Sequence, residues 1–284
     1  MRVVVTGGSG MVGRALQEQV ALLSDEHEWI FLSSKDVDLL CIDATRAAFA
    51  KFQPTHVVHL AARVGGLFAN MEANVQFFTD NVKINENVLQ CCKEFRVAKV
   101  VSCLSTCVFP DGCADVLDES MLHDGLPHGS NMGYSFAKRM IDIHNRLNTT
   151  PQQTFTSVIP TNIFGQHDNF CLTHGHVIPA LIHKCLLAKR SGGPFSVMGS
   201  GTPVRQFVFS RDIAQLLIRV INEYDDPSPI ILAPDLGSEM TIGDAARAIA
   251  RALDYQGDIT FDPSQSDGQH KKTASNRKLR KLFA

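Results

Sequence analysis

Three groups of residues in this 284-residue chain have the types and spacing that chemistry needs. The first lies in "SCLSTCVFP", Ser102 to Pro110, where Ser105, Thr106 and Cys107 come together just as a buried strand led in by Val100-Val101 should run out. Two hydroxyls and a thiol there either tie down the turn backbone or face a ligand. The second is "YSFAK", which places Tyr134 and Lys138 four residues apart on one helical face. A phenol with an ordinary pKa of about 10 is a poor base at neutral pH. A neighbouring ammonium should favour the phenolate and make Tyr134 a usable proton donor and acceptor. Ser105, at the preceding strand end, could bond the same carbonyl oxygen, so Ser105, Tyr134 and Lys138 form the constellation of a carbonyl reductase. The third group, "TGGSGMVG", would supply the hydride carrier. In it Gly7, Gly10 and Gly13 allow a tight turn, close approach to a pyrophosphate and helix-on-sheet packing. With Gly8, Ser9, Met11 and Val12 they form a candidate cofactor cradle at a helix N-terminus.

Each group has an ordinary reading when taken alone. A glycine triplet can be a flexible turn, a YxxxK pair is common on helix surfaces, and Cys107 alone reads as a small buried residue. The elements that carry them argue otherwise. Short β-branched runs at Arg2–Val5, Trp29–Ser33, His56–Leu60, Lys99–Leu104 and Phe155–Pro160 alternate with helical patterns at Met11–Leu23, Thr45–Phe52, Glu72–Phe95 and Tyr134–Leu147. Such alternation predicts a Rossmann-type doubly wound parallel sheet covered on both faces. Beyond about residue 163 the pattern loosens into loops, short strands and helices near Val177–Lys189, 211–223 and 241–253. The predicted division is an NADP-binding domain of residues 1–163 plus about 205–225, and a smaller α/β substrate-binding lobe of residues 164–204 and 226–284. The lobe should lie over the strand ends, where open α/β sheets bind ligands.

The second strand end selects the dinucleotide. NAD sites usually place Asp or Glu there to bond the ribose 2′-hydroxyl. Here Ser33, Ser34 and Lys35 come first and Asp36 follows, so Ser34 and Lys35 are candidates for a 2′-phosphate and NADP(H) is the expected cofactor. Read alone, Lys35 is an ordinary surface lysine.

Composition narrows the class. A formal net charge of −2 gives no reason to expect a nucleic-acid partner or an anionic membrane surface. No apolar run approaches the roughly 18 residues needed to span a bilayer, and the opening "MRVVVTGG" reads as a strand and turn rather than a signal peptide. Eight cysteines without a CxxC pair read as reduced thiols in a cytoplasmic protein. His174 and His176 have no carboxylate or cysteine cluster beside them, so no metal is expected.

The chain resembles the GDP-L-fucose synthases of the extended short-chain dehydrogenase/reductase family, which epimerise and reduce GDP-4-keto-6-deoxymannose. The resemblance runs almost end to end, through "HLAARVGG", "STCVFP", "YSFAKRMID", "PTNIFGQHDNF", "GHVIPALIHK", "GSGTPVRQF" and "SDGQHKKTASN". The glycine motif and YxxxK mark only the superfamily, whereas "STCVFP", "PTNIFGQHDNF" and "SDGQ" are more specific. It implies Ser105, Tyr134 and Lys138 as the reductase triad, and Cys107 and His176 as the pair that moves protons during epimerisation. Pro160, Thr161, Asn162, Ile163, Lys138 and His176 match cofactor contacts; Lys184, Arg205 and Asp267 match nucleotide-sugar contacts. Met198 stands where a tryptophan is expected against the substrate, and the chain stops at "KLRKLFA", where family members continue for a few helical turns. A homodimer is expected through the helices beginning near Glu72 and Tyr134, whose Val75, Phe78, Val82 and Val88-Leu89 exceed what one sheet contact requires. Alternative readings are another NAD(P)-dependent nucleotide-sugar epimerase or reductase, which NADPH consumption would separate, and a non-catalytic NADP-binding regulator, for which an intact Ser105, Tyr134 and Lys138 would be superfluous.

Overall fold

A computed structural model describes residues 1–23 and 27–283. Six parallel strands form the central sheet: β1 (Arg2–Thr6), β2 (Glu28–Leu32), β3 (His56–His59), β4 (Lys99–Cys103), β5 (Thr154–Pro160) and β10 (Ile230–Leu232). Their spatial order is β10-β5-β4-β3-β1-β2, so the winding reverses between β1 and β3, the switch point where open sheets take ligands.

Alternate side chains of β1 go to opposite faces, and both faces are covered. Val4 packs in a core with Val57, Val88, Val100 and Phe155, whereas Val3 and Val5 join Leu16, Ile213 and Leu217 on the other side. That is why the strands read as unbroken apolar runs. Helices α1 (Met11–Val20) and α7 (Ser210–Glu223) cover one face; α2 (Ile42–Phe52), α4 (Asn74–Glu94) and α5 (Met132–Asn148) cover the other. A short α3 (Leu67–Glu72) precedes α4, and a kink at Ala73 separates the two, where sequence periodicity suggests one helix from Glu72 to Phe95.

A third core holds the smaller lobe, with Leu181, Cys185, Phe195, Val197, Ala246 and Ala250 at its centre. It unites α6 (Val177–Ser191), α8 (Ile242–Ala252) and the parallel pair β7 (Phe195–Met198) and β12 (Ile259–Asp262). Beside it β8 (Val204–Arg205) is flanked by β11 (Met240–Thr241) and β13 (Lys271–Lys272). The pair β6 (Asn162–Phe164) and β9 (Phe207–Phe209) runs between the lobes. Residues 230–232, placed in the smaller lobe by the sequence reading, are the edge strand of the large sheet, because Ile230 to Leu232 pair with Val158 to Pro160. The final helix α9 (Arg277–Phe283) packs on that strand.

Candidate active site

The end of β4 makes the first part of the site. The chain continues the sheet as Leu104 N–H bonds Val158 O at 2.8 Å. It then enters a 3₁₀ turn, Thr106–Val108, capped by Ser105, whose Oγ accepts the Cys107 N–H at 3.3 Å. The hydroxyl therefore does tie down the turn. Cys107 is half-buried, and the Lys272 ammonium of β13 donates to its Sγ at 3.3 Å. Burial pushes the thiol upward, but the Lys272 charge, the Ser105 and Lys272 hydrogen bonds and the Arg205 charge outweigh it, holding Cys107 below the ordinary thiol range.

Helix α5 brings the second part. Lys138 is 2% exposed and donates to Cys103 O at 2.8 Å, with its Nζ 5.8 Å from the centre of the Tyr134 ring. Burial lowers the Lys138 pKa. Burial also raises Tyr134 well above the usual phenol value, and negative charge on Cys107 or Cys103 would raise it further. The expectation that Lys138 draws Tyr134 toward phenolate is not met in this geometry, where desolvation sets the direction. Tyr134 keeps its proton at neutral pH, which suits a donor.

A buried polar chain ties this helix to the glycine turn. His59 lies between Thr6 Oγ1 at 2.7 Å and Asn85 Oδ1 at 3.1 Å, and Asn85 Nδ2 donates to Ala137 O at 3.2 Å. Thr6 Oγ1 also accepts the Ala61 N–H at 3.3 Å. Burial, helped by the Lys138 charge and opposed by the Asn85 bond, lowers the His59 pKa to about 3, so the ring is neutral. Nε2–H then donates to Asn85, and Nδ1 accepts from Thr6.

The glycine turn follows Thr6 at the end of β1. Gly7 adopts a positive φ of 74°, and a Cβ there would lie 2.8 Å from Ala61 N. A Cβ on Gly13 would lie 2.5 Å from Gly7 O, so only glycine lets α1 sit this close to the turn. Gly10 caps α1 with no side-chain bond, leaving the opening N–H groups free for an anion. At the end of β2, Asp36 accepts both the Ser33 N–H at 2.8 Å and the Ser33 hydroxyl at 2.6 Å, bonds that lower its pKa. The one carboxylate of this strand end is therefore engaged, while Ser34 and Lys35 are exposed. That arrangement fits a dinucleotide carrying a 2′-phosphate. Pro160 to Ile163 lead out of β5, where Asn162 N–H bonds Gln206 O at 3.1 Å and fixes the crossing to the smaller lobe.

In the smaller lobe, Arg205 donates to Gln269 O at 2.5 Å and Val204 O at 2.8 Å, and burial lowers its pKa. Asp267 holds Ser200 by N–H at 2.8 Å and hydroxyl at 2.7 Å. Lys184 is partly buried, its pKa lowered by that burial, and Met198 is 40% exposed. His176 caps α6, and its loop is joined to the segment after β3 by Gly66 N–H to His174 O at 3.1 Å. The structure thus gathers Ser105, Cys107, Tyr134, Lys138 and Arg205 at the end of β4; among the described residues His176 makes no bond to that group. Two neighbours escape sequence reasoning. Lys272 lies in a basic run that looks solvated, and Asp168, 3.6 Å from His176 Nδ1, lies in a motif whose carboxylate has no evident partner in the sequence.

Residues 3–233 match the model of the NAD dependent epimerase/dehydratase family. The chain is 52% identical to a GDP-L-fucose synthase from Dictyostelium discoideum, over 99% of this chain and 88% of that protein. It is 50% identical to a probable GDP-L-fucose synthase from Drosophila melanogaster, over 99% of this chain and 91% of that one. The crystal structure of a GDP-L-fucose synthetase from Naegleria fowleri bound to NADP superposes with a TM-score of 0.93 at 46% identity, over 99% of this chain and 86% of that chain.

Proposed function

The chain belongs to the NAD dependent epimerase/dehydratase family, and on that premise we propose that it is a GDP-L-fucose synthase. It converts GDP-4-dehydro-6-deoxy-D-mannose to GDP-L-fucose by 3,5-epimerisation and then 4-keto reduction, with NADPH. The observation that carries this reading is the contact of Lys272 with Cys107 beside Ser105. A plain reductase has no use for a thiol held in its reactive range.

The substrate's C4 ketone makes the protons on C3 and C5 acidic, because the enolate places charge on the ketone oxygen. Ser105 and Tyr134 are donors for that oxygen and stabilise the charge. Cys107, as thiolate, takes a proton from one face; His176, from the smaller lobe, returns one to the other. The ring is inverted with no net change in protons or electrons. Bound NADPH supplies the hydride that reduces C4. Tyr134 then gives its proton to the C4 oxygen, and Lys138 holds the strand end that positions Ser105 and Cys107 through Cys103 O.

Gly7, Gly8, Ser9, Gly10, Met11, Val12 and Gly13 would hold the diphosphate, Ser34 and Lys35 the 2′-phosphate, and Pro160 to Ile163, Lys138 and His176 the nicotinamide end. Lys184, Met198, Arg205 and Asp267 would face the GDP-sugar. The proposed division places the cofactor on the six-stranded sheet, β10 included, and the sugar nucleotide on the lobe built around α6 and α8. A homodimer through α4 and α5 also belongs to the proposal, supported by exposed Val75 and Phe78 on α4 and by Ile143 and Leu147 on α5. No helix among the described residues is long and apolar enough to cross a membrane. A cytoplasmic setting is proposed on the free state of all eight cysteines.

The test is turnover of GDP-4-keto-6-deoxymannose with NADPH and with NADH, followed by absorbance and product identification. GDP-L-fucose, with higher kcat/KM for NADPH, is expected. Turnover without NADPH loss would point to an epimerase that recycles its cofactor, and no turnover to a regulator.

A further inference from the structure

His176 caps α6 without a side-chain hydrogen bond to the helix backbone. The loop after β6 places a carboxylate beside its ring. The Asp168 side chain is 5% exposed, and its Oδ1 lies 3.6 Å from His176 Nδ1. Oδ1 also accepts the Asn169 N–H at 2.7 Å, which fixes the carboxylate's direction. His176 Nδ1 is shut off from solvent and has no hydrogen-bond partner, and Asp168 Oδ2 is likewise unpartnered. A buried ring nitrogen left so is costly unless a neighbouring group serves it, and the Asp168 carboxylate stands beside it through Oδ1.

From this geometry we infer that Asp168 is a positioning residue for His176: its carboxylate receives Nδ1–H, so that Nε2 carries the transferable proton on the ring's open side. The imidazole side chain is 42% exposed although Nδ1 is not, which leaves Nε2 as the nitrogen that faces outward. The present 3.6 Å separation is a few tenths of an ångström beyond hydrogen-bonding range, and a small turn of the ring closes it. The ring so held is the group that reprotonates the sugar. In that step Nε2–H gives its proton to the enolate carbon, and the ring, left neutral, keeps its Nδ1–H on Asp168. This inference rests on the proposed role of His176 in epimerisation.

Asp168→Asn keeps an oxygen for the Asn169 N–H and so spares the loop. In deuterated water, NMR follows deuterium entry at C3 and C5 and formation of epimerised product, for the wild type, Asp168→Asn, His176→Gln and the double variant. His176→Gln should let protons leave but slow their return to the opposite face. Asp168→Asn should reproduce that pattern, lowering epimerised product by at least about tenfold and by no more than the roughly 10²–10⁴-fold that loss of an acid costs. KM for the GDP-sugar and for NADPH should stay unchanged. Added to His176→Gln, Asp168→Asn should alter the rate by less than about twofold, since it acts only through the ring. ¹⁵N NMR of labelled histidine should show His176 with its proton on Nδ1 in the wild type and losing that tautomer in Asp168→Asn. Wild-type epimerisation in Asp168→Asn with an impaired His176→Gln, or additive losses in the double variant, would overturn the Asp168 role and leave the function standing. Wild-type epimerisation in His176→Gln would overturn both the His176 assignment and this inference.

Discussion

In the proposed reaction, replacing the Tyr134 hydroxyl by hydrogen would take away the proton for the C4 oxygen and leave the glycine turn untouched. Tyr134→Phe should therefore slow single-turnover reduction by about 10²–10⁴-fold, with NADPH affinity within a few-fold of wild type by fluorescence titration. A reduction rate close to wild type would remove Tyr134 from the reaction. Lys272→Met tests the thiol. The ammonium holds Cys107 below the ordinary range, so its loss should move the pH midpoint of iodoacetamide alkylation upward and slow C3 and C5 exchange at neutral pH. An unchanged midpoint would mean that Ser105 and Arg205 suffice. At this scale Ser105, Cys107, Tyr134 and Lys138 stand out in the sequence as candidates, because each lies at a strand end or on a helix with its own pattern. It hid Lys272 and Asp168, whose meaning comes from what the fold brings beside them. It also misjudged the Tyr134 pKa, since spacing reveals a neighbouring charge but not the depth of burial that opposes it.

Among the elements, the strands and long helices were legible because apolar period and length agree over several residues. The strands β8, β11 and β13 span two residues each, too few to show a period, and β10 was hidden by a proline-rich approach that reads as loop. The polar chain from β1 through β3 and α4 to α5 was equally invisible, yet it has a measurable consequence. His59 titrates near pH 6.5 in an unfolded chain and at about 3 in the folded one. Between these values the unfolded chain binds a proton that the folded chain refuses. Its contribution is therefore complete above about pH 6.5 and is lost as pH falls toward 3, at up to about 1.4 kcal/mol per pH unit. His56, lowered to about 4 mainly by burial, steepens the same slope. Urea unfolding of His59→Gln between pH 7 and pH 4.5 should give a flatter dependence than wild type, and identical slopes would show that His59 does not govern this region.

For the whole molecule, α4 and α5 leave an apolar surplus exposed among the described residues. Val75 and Leu147 are about four-fifths exposed, and Ile143 about half. Buried against the same helices of a second copy, they would form an isologous interface. Light scattering at micromolar concentration should report about twice 31.2 kDa, and Ile143→Glu combined with Leu147→Glu should halve it. A monomeric wild type would contradict this arrangement. What the sequence lacked was how the end of the chain returns to the large sheet, with β13 beside Cys107 and α9 on β10.

That return gives the protein an order of maturation. Cys107 leaves the ribosome 165 residues before the lysine that awakens it. Until Lys272 is in place, Cys107 lacks the ammonium that contributes most to lowering its pKa. Chains arrested near residue 260 should alkylate with the pH midpoint of an ordinary thiol, and released chains at a lower one. The lowered midpoint at this cysteine would thus be acquired only once residue 272 has joined the fold.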